Sequence, residues 1–388
     1  MDWLKTLIET LFRFFGFPTQ TGLRAFGQPG PDAPVFVTCN FDLTVRRVAK
    51  VLRKNKIDCY LLVAPTKGIN VWCAAGGGIF NAHSVISVLK TGGIADKVSH
   101  RTLILPQLAA PGVDVRRVKE ETGWHCRFGP VYASDIPDYV ANGFQKTDAM
   151  RHVRFPLSNR LEMAAMWAGP LSIVAIVVLL IFNRGALPGA LILIWGLALG
   201  MLVFFEPVLR YVPGRVGLQK TAVLGLLVAA GLVTYGLVVG HWSTGRMVGW
   251  SAAALGLSLL MGFDFEGQSP LYAGATITYW AARWPRLLDW AARMGMEMEH
   301  PFTVSVDTDR CRGCGTCVDV CPKGVYELYR LDGKKRARVA NLAACEQCTA
   351  CVKQCPEEAI GAEPPIRHFD CACPMCQASR IVDRLSGQ

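Results

Sequence analysis

The sequence predicts a multidomain chain: an α/β domain, then an α-helical transmembrane domain, then a small α+β domain rich in cysteine. Three observations predict this order. Short apolar runs alternate with helical patterns up to about residue 160, long apolar stretches follow, and closely spaced cysteines fill the C-terminal part. The chain has 388 residues, of which 51% are hydrophobic and 18% charged. This composition excludes a disordered or fibrous protein and favours a membrane-embedded portion.

The N-terminal segment, residues 1–17, carries apolar side chains at helical spacing with charged residues opposite them. It lacks the continuous apolar region and the A-x-A site of a secretory signal. Two interpretations of this amphipathic helix stay open: it lies in the membrane interface, or it packs on the protein itself. The Pro- and Gly-rich stretch 17–34 is expected to be a linker or an irregular lead-in.

The α/β domain is expected over residues 18–160. Apolar runs at 35–37, 60–63 and 103–105 predict strands, and the patterns at 43–53 and 82–89 predict helices. Strands that alternate with helices in this way indicate a mainly parallel sheet.

One stretch of this domain has the composition of a binding site. It follows the strand at 60–63 and reads Asn70, Val71, Trp72, Cys73, Ala74, Ala75, Gly76, Gly77, Gly78. Cys73 is expected at or near a helix N-terminus, where the helix dipole favours the thiolate and makes it a better nucleophile or metal ligand. The small residues after it leave room for a flat cofactor. The alternative is that Cys73 is a small buried residue.

The transmembrane domain is expected over residues 161–290. Four apolar stretches near 164–182, 187–205, 221–239 and 247–263 are each about long enough to cross a bilayer as a helix. Close to these stretches, Lys and Arg number three before the first, one, three and one in the successive loops, and three after the last. Those before the first are Arg151, Arg154 and Arg160, and those after the last are Arg283, Arg286 and Arg293. This alternation predicts a multi-pass protein of the cytoplasmic membrane with both ends facing the cytoplasm. A weaker fifth segment, 269–284, is expected to be interfacial or re-entrant.

The net charge of +11 does not indicate nucleic acid. Lys and Arg of membrane proteins gather on the cytoplasmic side and on anionic lipid. The chain has no arginine-rich run and no aromatic-basic stripe. Membrane lipid is therefore the expected partner, and nucleic acid is not.

The cysteine-rich domain, residues 291–363, contains one pattern twice: three cysteines spaced C-x2-C-x2-C, then x3-C-P. This is the bacterial ferredoxin pattern for two [4Fe-4S] clusters, in which the fourth cysteine of each run reaches the other cluster. The expected ligands are Cys311, Cys314, Cys317 and Cys355 for one cluster, and Cys345, Cys348, Cys351 and Cys321 for the other. Zinc sites and disulfides fit this spacing poorly.

The tail, residues 364–388, holds three more cysteines, Cys371, Cys373 and Cys376. Thiolates prefer soft cations, so the three form a possible capture site for Hg(II). A redox-labile tail or a third, incomplete metal site remains an equal alternative.

A resemblance adds to this interpretation. The segments 68–76, 100–108, 128–131 and 151–155 resemble the corrinoid protein of the mercury-methylation pair. This resemblance is close over about residues 35–160 and continues through the membrane domain. The ferredoxin part with its surplus cysteines resembles that protein's partner. The chain is thus similar to both halves fused. The corrinoid iron–sulfur protein of the acetyl-CoA pathway is a more distant relative.

The resemblance implies a Rossmann-like corrinoid-binding domain in which Asn70–Gly78 contact the cofactor and Cys73 ligates its cobalt. It also implies a methyltransferase that moves a methyl group to a soft metal, with Hg(II) as the leading acceptor, and a ferredoxin part that reduces the corrinoid. The implied partners are a methyl-donor protein or methylated folate and a low-potential electron donor.

One position departs from the family. The motif carries a lysine directly after Cys-Ala-Ala-Gly, and here that position is Gly77. Loss of this cation affects mercury activity more than cobalt ligation by Cys73. Two alternatives therefore remain: a corrinoid methyl carrier that acts on another acceptor, and a membrane-anchored ferredoxin whose function is electron transfer alone.

Overall fold

The computed structural model describes residues 2–13, 15–76, 78–205, 211–213, 217–262, 302–345 and 347–363. Contacts divide the chain into two units. The helical unit combines Met1–Phe14 with Arg154–Trp280, and the mixed unit combines Phe15–Val153 with Ala281–Gln388. The mixed unit therefore joins the α/β domain, residues 15–153, to a ferredoxin-like domain, residues 302–363.

The α/β domain is built on one five-stranded sheet. Its strands are β1 Gly22–Phe26, β2 Val35–Cys39, β3 Cys59–Ala64, β4 Thr102–Leu105 and β5 His125–Phe128, in the order β1-β3-β2-β4-β5. Strands β2 to β5 run parallel, and β1 pairs antiparallel with β3 at one edge. Every residue of β2 and β3 is buried, as expected for central strands covered on both faces.

Helices follow the strands. They are α2 Asp42–Lys54, α3 Val71–Gly76, α4 Ala82–Thr91, α5 Val115–Thr122, α6 Ile136–Ala141 and α7 Asp148–Arg151. The local sequence explains where two of these helices begin. Asn81 and Ser84 form a capping box before α4, and Asp114 accepts two backbone N–H bonds before α5. Apolar faces of α2 and α4 pack into separate core clusters.

The predicted mainly parallel α/β sheet is confirmed, because the strands and helices expected from the apolar runs all form. The expectation for residues 17–34 is wrong, since this stretch contains β1. The residues Gly-Leu-Arg-Ala-Phe have little strand pattern of their own, and β1 exists because it pairs along its length with β3. An edge strand of this kind depends on tertiary contacts.

The helical unit contains α1 Asp2–Leu11, α8 Leu157–Phe182, α9 Leu187–Leu199, α10 Gly217–Val238 and α11 Thr244–Gly262. Among the residues that the structure describes, three helices are long and apolar enough to cross a membrane: Leu157–Phe182, Arg184–Val203 and Gln219–Val238. The fourth expected span lies on α11, which is not one of these three. Arg246 and several Gly and Ser residues make α11 less apolar. The fifth segment, 269–284, lies outside the described residues.

Small residues allow the helices of this unit to pack closely. A Cβ atom added at Gly225 of α10 would lie 2.8 Å from the Ser258 Cβ of α11, which is typical of helix pairs packed on small residues. Helix α1 packs on α8, where Leu11 covers Gly169 and Arg13 bonds Glu162 at 2.6 Å. Its other face stays open, with Trp3 72% exposed. Packing on the protein therefore occurs, and an interfacial role for the open face stays a prediction.

The ferredoxin-like domain has two small sheets and two short helices. Strand β6 Thr303–Val306 pairs with β9 Ile360–Glu363, and β7 Tyr326–Leu331 forms a hairpin with β8 Lys334–Val339. The helices are α12 Thr316–Val320 and α13 Ala350–Gln354, one in each cysteine run. Cysteines and apolar residues from both halves form one core, so the repeat in the sequence becomes a single folded domain.

Candidate functional site

A cavity of about 250 Å³ lies beside the carboxyl ends of β2, β4 and β5. Strand β2 lies between β3 and β4, so the chain passes from β2 to β3 on one side of it and then to β4 on the other side. The sheet therefore has a switch point between β2 and β4, where open α/β sheets bind ligands. The lining is mostly apolar. It includes Val37, Thr38, Val71, Trp72, Leu105, Pro106, Pro130, Val131 and Tyr132. The predicted residues Asn70, Val71 and Trp72 form one wall of this cavity.

Cys73 lies on α3 at the edge of this region, and its side chain is exposed. Asn70 precedes the helix and bonds Cys73 twice. Its Oδ1 accepts from the Cys73 backbone N–H at 3.0 Å, and its Nδ2 donates to the Cys73 sulfur at 3.3 Å. The first bond caps the helix. The second aims a polar N–H at the sulfur, which favours the negatively charged form of a thiol.

Buried Asn40 positions the turn before α3. Its Oδ1 accepts from the backbone N–H groups of Thr66 and Gly68, both at 2.9 Å. Asn40 directly follows β2 and is only 6% exposed. The end of the central strand is thus tied to the turn that presents Cys73.

The loop 106–113 packs under α3. A Cβ atom added at Gly112 would lie 2.2 Å from the carbonyl oxygen of Phe80 and 2.8 Å from the Cα of Ala75. Only glycine allows this approach. The predicted small residues Ala74 and Ala75 are buried against this loop rather than open to a ligand, whereas Gly76 is exposed.

Each predicted set of four cluster ligands lines a single cavity. One cavity is lined by Cys311, Cys314, Cys317 and Cys355, and a second by Cys321, Cys345, Cys348 and Cys351. The fourth cysteine of each run therefore crosses to the other group, as the ferredoxin pattern requires. The donor set and its enclosure fit two polynuclear iron–sulfur groups.

Hydrogen-bond donors surround these sulfurs. Backbone N–H groups of Ala337 and Ala359 donate to Cys311 and Cys355 at 3.4 and 3.2 Å, and the Tyr326 hydroxyl donates to Cys351 at 3.1 Å. Such donors stabilise negative charge on cluster ligands and tune the reduction potential.

The ferredoxin-like domain contacts the α/β domain through α12 and α13. The amide Nε2 of Gln354, on α13, donates to the carbonyl oxygens of Ala110 and Val113 at 2.8 and 2.6 Å. Lys353 Nζ donates to the carbonyl oxygen of Pro111 at 2.9 Å. All three acceptors belong to loop 106–113. The loop that supports the Cys73 helix is therefore the loop that receives the ferredoxin-like domain.

A buried lysine joins the two domains at a second point. The side chain of Lys146 is only 6% exposed, and its Nζ lies 2.9 Å from Oδ1 of Asp319 in α12. The same Nζ donates to Oε1 of Gln107 at 2.6 Å. Burial lowers the pKa of Lys146, and the charge of Asp319 acts against this effect. Arg116 contacts Glu358 at 2.8 Å on the same interface. The predicted cluster ligands Cys348 and Cys351 pack against the apolar core of the α/β domain.

The remaining cysteines separate by environment. Burial raises the pKa of Cys59 and Cys126 to about 12 and also raises that of Cys39. These thiols are therefore protonated near neutral pH, as structural cysteines of strands are expected to be.

The predicted site residue Gly77 and the tail residues Cys371, Cys373 and Cys376 lie outside the described residues.

Several residues of this site have no local signal in the sequence. Asn40 and Gln354 act through backbone groups far away in the chain, and no local motif marks them. The cavity residues at 129–132 follow a strand end, and the rule that parallel sheets bind ligands at their carboxyl edge could have found them.

Comparison with known proteins agrees with two parts of this architecture. Residues 17–140 match the family described as CO dehydrogenase/acetyl-CoA synthase delta subunit, and residues 303–356 match the 4Fe-4S dicluster domain. The first match covers the α/β domain with Cys73 and its cavity, and the second covers both cysteine runs.

Individual relatives align with about a third of the chain. The acetyl-CoA decarbonylase/synthase complex subunit gamma of Methanocaldococcus jannaschii is 37% identical over 127 residues, which is 33% of this chain and 26% of the relative. The same subunit of Archaeoglobus fulgidus is 39% identical over 121 residues, 31% of this chain and 25% of the relative. The corrinoid/iron-sulfur protein large subunit of Moorella thermoacetica is 34% identical over 114 residues, 29% of this chain and 25% of the relative.

The chain thus spans about a quarter of the length of these relatives. The helical unit is not part of either match. The chain combines an α/β domain similar to corrinoid/iron-sulfur proteins of acetyl-CoA synthesis with a C-terminal domain that matches the two-cluster 4Fe-4S domain.

Proposed function

We propose that this chain is a membrane-anchored, corrinoid-dependent methyl-transfer protein with its own electron supply. The observation that carries the proposal is the exposed sulfur of Cys73 beside the switch-point cavity, in a domain similar to corrinoid/iron-sulfur proteins. The three helices long and apolar enough to span a bilayer support the anchoring.

The residues present fit a corrinoid. An exposed sulfur on a short helix suits a ligand that approaches the open face of that helix. The neighbouring cavity of about 250 Å³ is smaller than typical sites for whole cofactors. It therefore suits one arm of the cofactor, with the rest outside. When bound, a corrinoid supplies a cobalt centre that accepts and releases methyl groups.

The protein's own residues have separate roles in the proposed function. Cys73 is the proposed cobalt ligand, and Asn70 holds its sulfur through the 3.3 Å bond. Trp72 and the walls of the cavity exclude water from the bound arm. The two groups of four cysteines hold the proposed [4Fe-4S] clusters, which supply single electrons to the α/β domain across the contact made by α12 and α13.

We propose a soft metal ion, Hg(II) in particular, as the methyl acceptor. The support is the resemblance of the Cys73 segment to mercury-methylation proteins and the presence of three surplus thiols at Cys371, Cys373 and Cys376. A second candidate is a methyl carrier that serves a separate protein. The relatives favour it, since they are named as subunits of an acetyl-CoA decarbonylase/synthase complex.

The test is metal analysis and methyl transfer with protein purified anaerobically in mild detergent. We expect about one cobalt and about eight irons per chain. Cys73→Ala should lose the cobalt-thiolate absorption and methyl transfer, whereas the control Cys126→Ala should keep both. Full transfer by Cys73→Ala would contradict the ligand role.

The acceptor is tested with the same preparation. Methylmercury formed from Hg(II) by the chain alone supports the first function. Methyl groups that leave the protein only when a partner protein is added support the carrier. Iron without cobalt, even after reconstitution with corrinoid, would contradict both.

A further inference from the structure

The β7–β8 hairpin of the ferredoxin-like domain is strongly basic. Asp332 and Gly333 connect the strands with positive φ angles of 49° and 74°, as expected for the tight turn that Asp-Gly favours. The hairpin carries five cations against two carboxylates, Glu327 and Asp332. The cations are Arg330, Lys334, Lys335, Arg336 and Arg338.

The strand register places some of these charges against each other. Arg330 lies directly opposite Lys335, and like charges in such a pair destabilise a hairpin. Arg338 is neutralised by Glu327. Arg330, Lys334 and Lys335 are exposed and make no ion pair within the described part of the chain. The hairpin therefore keeps positive charge at a cost to its own stability.

This basic surface adjoins the first group of cluster ligands. The backbone N–H of Ala337, two residues after Lys335, donates to the sulfur of Cys311 at 3.4 Å. Ala337 is 2% exposed and lines the cavity of that group. At Gly313, a Cβ atom would lie 2.3 Å from the carbonyl oxygen of Lys335. Strand β8 is therefore a wall of the first cluster cavity, with its cations on the outside.

The second group of cluster ligands lies on the covered side of the domain. Cys348 and Cys351 pack against the apolar core of the α/β domain, and Gln354 of α13 is 2% exposed there. The second group thus lies toward the core of the α/β domain, and the first group lies next to the basic hairpin.

We propose that the basic face of the β7–β8 hairpin docks an acidic, low-potential redox protein, and that electrons enter at the group Cys311, Cys314, Cys317 and Cys355. This rests on the proposed electron supply. In the step, the donor's reduced centre loses one electron and the first cluster gains it, with no proton or atom transferred. The electron then passes to the second cluster, which contacts the α/β domain.

A protein is favoured over a lipid surface because the charge lies beside a redox group rather than in the helical unit. Leu331, 43% exposed at the hairpin tip, adds an apolar contact next to the cations. Complementary charge speeds encounter of redox partners by about ten-fold to a thousand-fold, and the effect decreases with salt.

The test compares the native holoprotein with the double variant Lys334→Glu, Lys335→Glu. The matched control is Lys50→Glu, Lys97→Glu, which reverses two exposed charges of the α/β domain. The probe is an acidic two-cluster ferredoxin, reduced beforehand and mixed in a stopped-flow instrument. Dithionite serves as the small reductant. Binding of the oxidised probe is measured separately by surface plasmon resonance.

We expect the hairpin variant to lose at least about ten-fold in second-order rate and in affinity at low salt. Its rate with dithionite should stay native, and the control should behave as the native protein. Native rate and affinity in the hairpin variant would overturn the docking site.

Two further outcomes separate the alternatives. Clusters that dithionite cannot reduce would overturn the electron supply and the docking site together. If the hairpin variant loses binding only to vesicles of anionic lipid, with probe rates unchanged, the hairpin is a membrane contact and the proposal is wrong.

Discussion

The contact between Gln354 and loop 106–113 gives the sharpest test of how the two domains of the mixed unit are joined. Gln354→Met keeps the length of the side chain and removes both donated hydrogen bonds. The carbonyl groups of Ala110 and Val113 then lose these partners in a buried interface, where the two residues are 1% and 0% exposed.

The magnitude follows from the number of bonds. A buried polar group without a partner costs about 1–3 kcal/mol. For two carbonyls at this cost each, we expect the free energy of docking to weaken by about 2–6 kcal/mol, which is about 30-fold to 20,000-fold in the docking equilibrium. The Lys146–Asp319 contact remains, so the domains should open more often without separating completely.

Hydrogen exchange measured by mass spectrometry is the assay, because exchange reports local opening. Amides of residues 107–113 should exchange at least about 30-fold faster in Gln354→Met. The control is Gln347→Met, which removes a 2.9 Å bond to the carbonyl oxygen of Phe302 inside the ferredoxin-like domain. Iron content shows whether either variant has lost clusters.

Native exchange of residues 107–113 in Gln354→Met, with full iron content, would refute the reasoning. Equal acceleration in both variants would mean that the loop responds to the state of the ferredoxin-like domain and not to this contact.

Three other predictions concern the α/β domain. In cofactor-free protein at pH 8, iodoacetamide should label Cys73 while Cys59 and Cys126 stay unlabelled. Burial raises the pKa of Cys59 and Cys126 to about 12, which leaves only about one thiolate in ten thousand. Peptide mass spectrometry checks this, and early labelling of Cys59 would contradict it. Asn70→Ala should cost about 1 kcal/mol of helix capping and about fivefold in corrinoid affinity, measured by titration. Val131→Trp should fill the cavity and lower cobalt content with iron unchanged; native cobalt would show that the cavity holds no part of the cofactor.

Much of the α/β domain could be predicted because its central strands are continuous apolar runs. Burial on both faces requires such runs, so β2, β3 and β4 are visible in the sequence. Edge strands need less apolar character, and β1 and β5 become strands through pairing with a neighbour. This is why the sequence around β1 predicts an irregular lead-in although the segment forms a strand.

The candidate site divides in the same way. Cys73 and the cluster cysteines lie in local motifs, where residue type and spacing carry the chemistry. Asn40, Gln354 and Lys146 have partners that are distant in the chain, and a single sequence without the fold contains no sign of them. Conversely, the sequence predicts that Ala74 and Ala75 face a cofactor, whereas the structure buries both side chains of α3 against loop 106–113.

By itself, the sequence determined the α/β pattern, the apolar helices and the two cysteine runs, because periodicity and metal-ligand spacing are local properties of the chain. Tertiary structure alone decided that the ends of β2, β4 and β5 form a cavity beside Cys73. It also decided that one loop supports the Cys73 helix and receives the ferredoxin-like domain. The physical reason is that cavities and interfaces are made by residues distant in sequence, which only packing and strand order bring together.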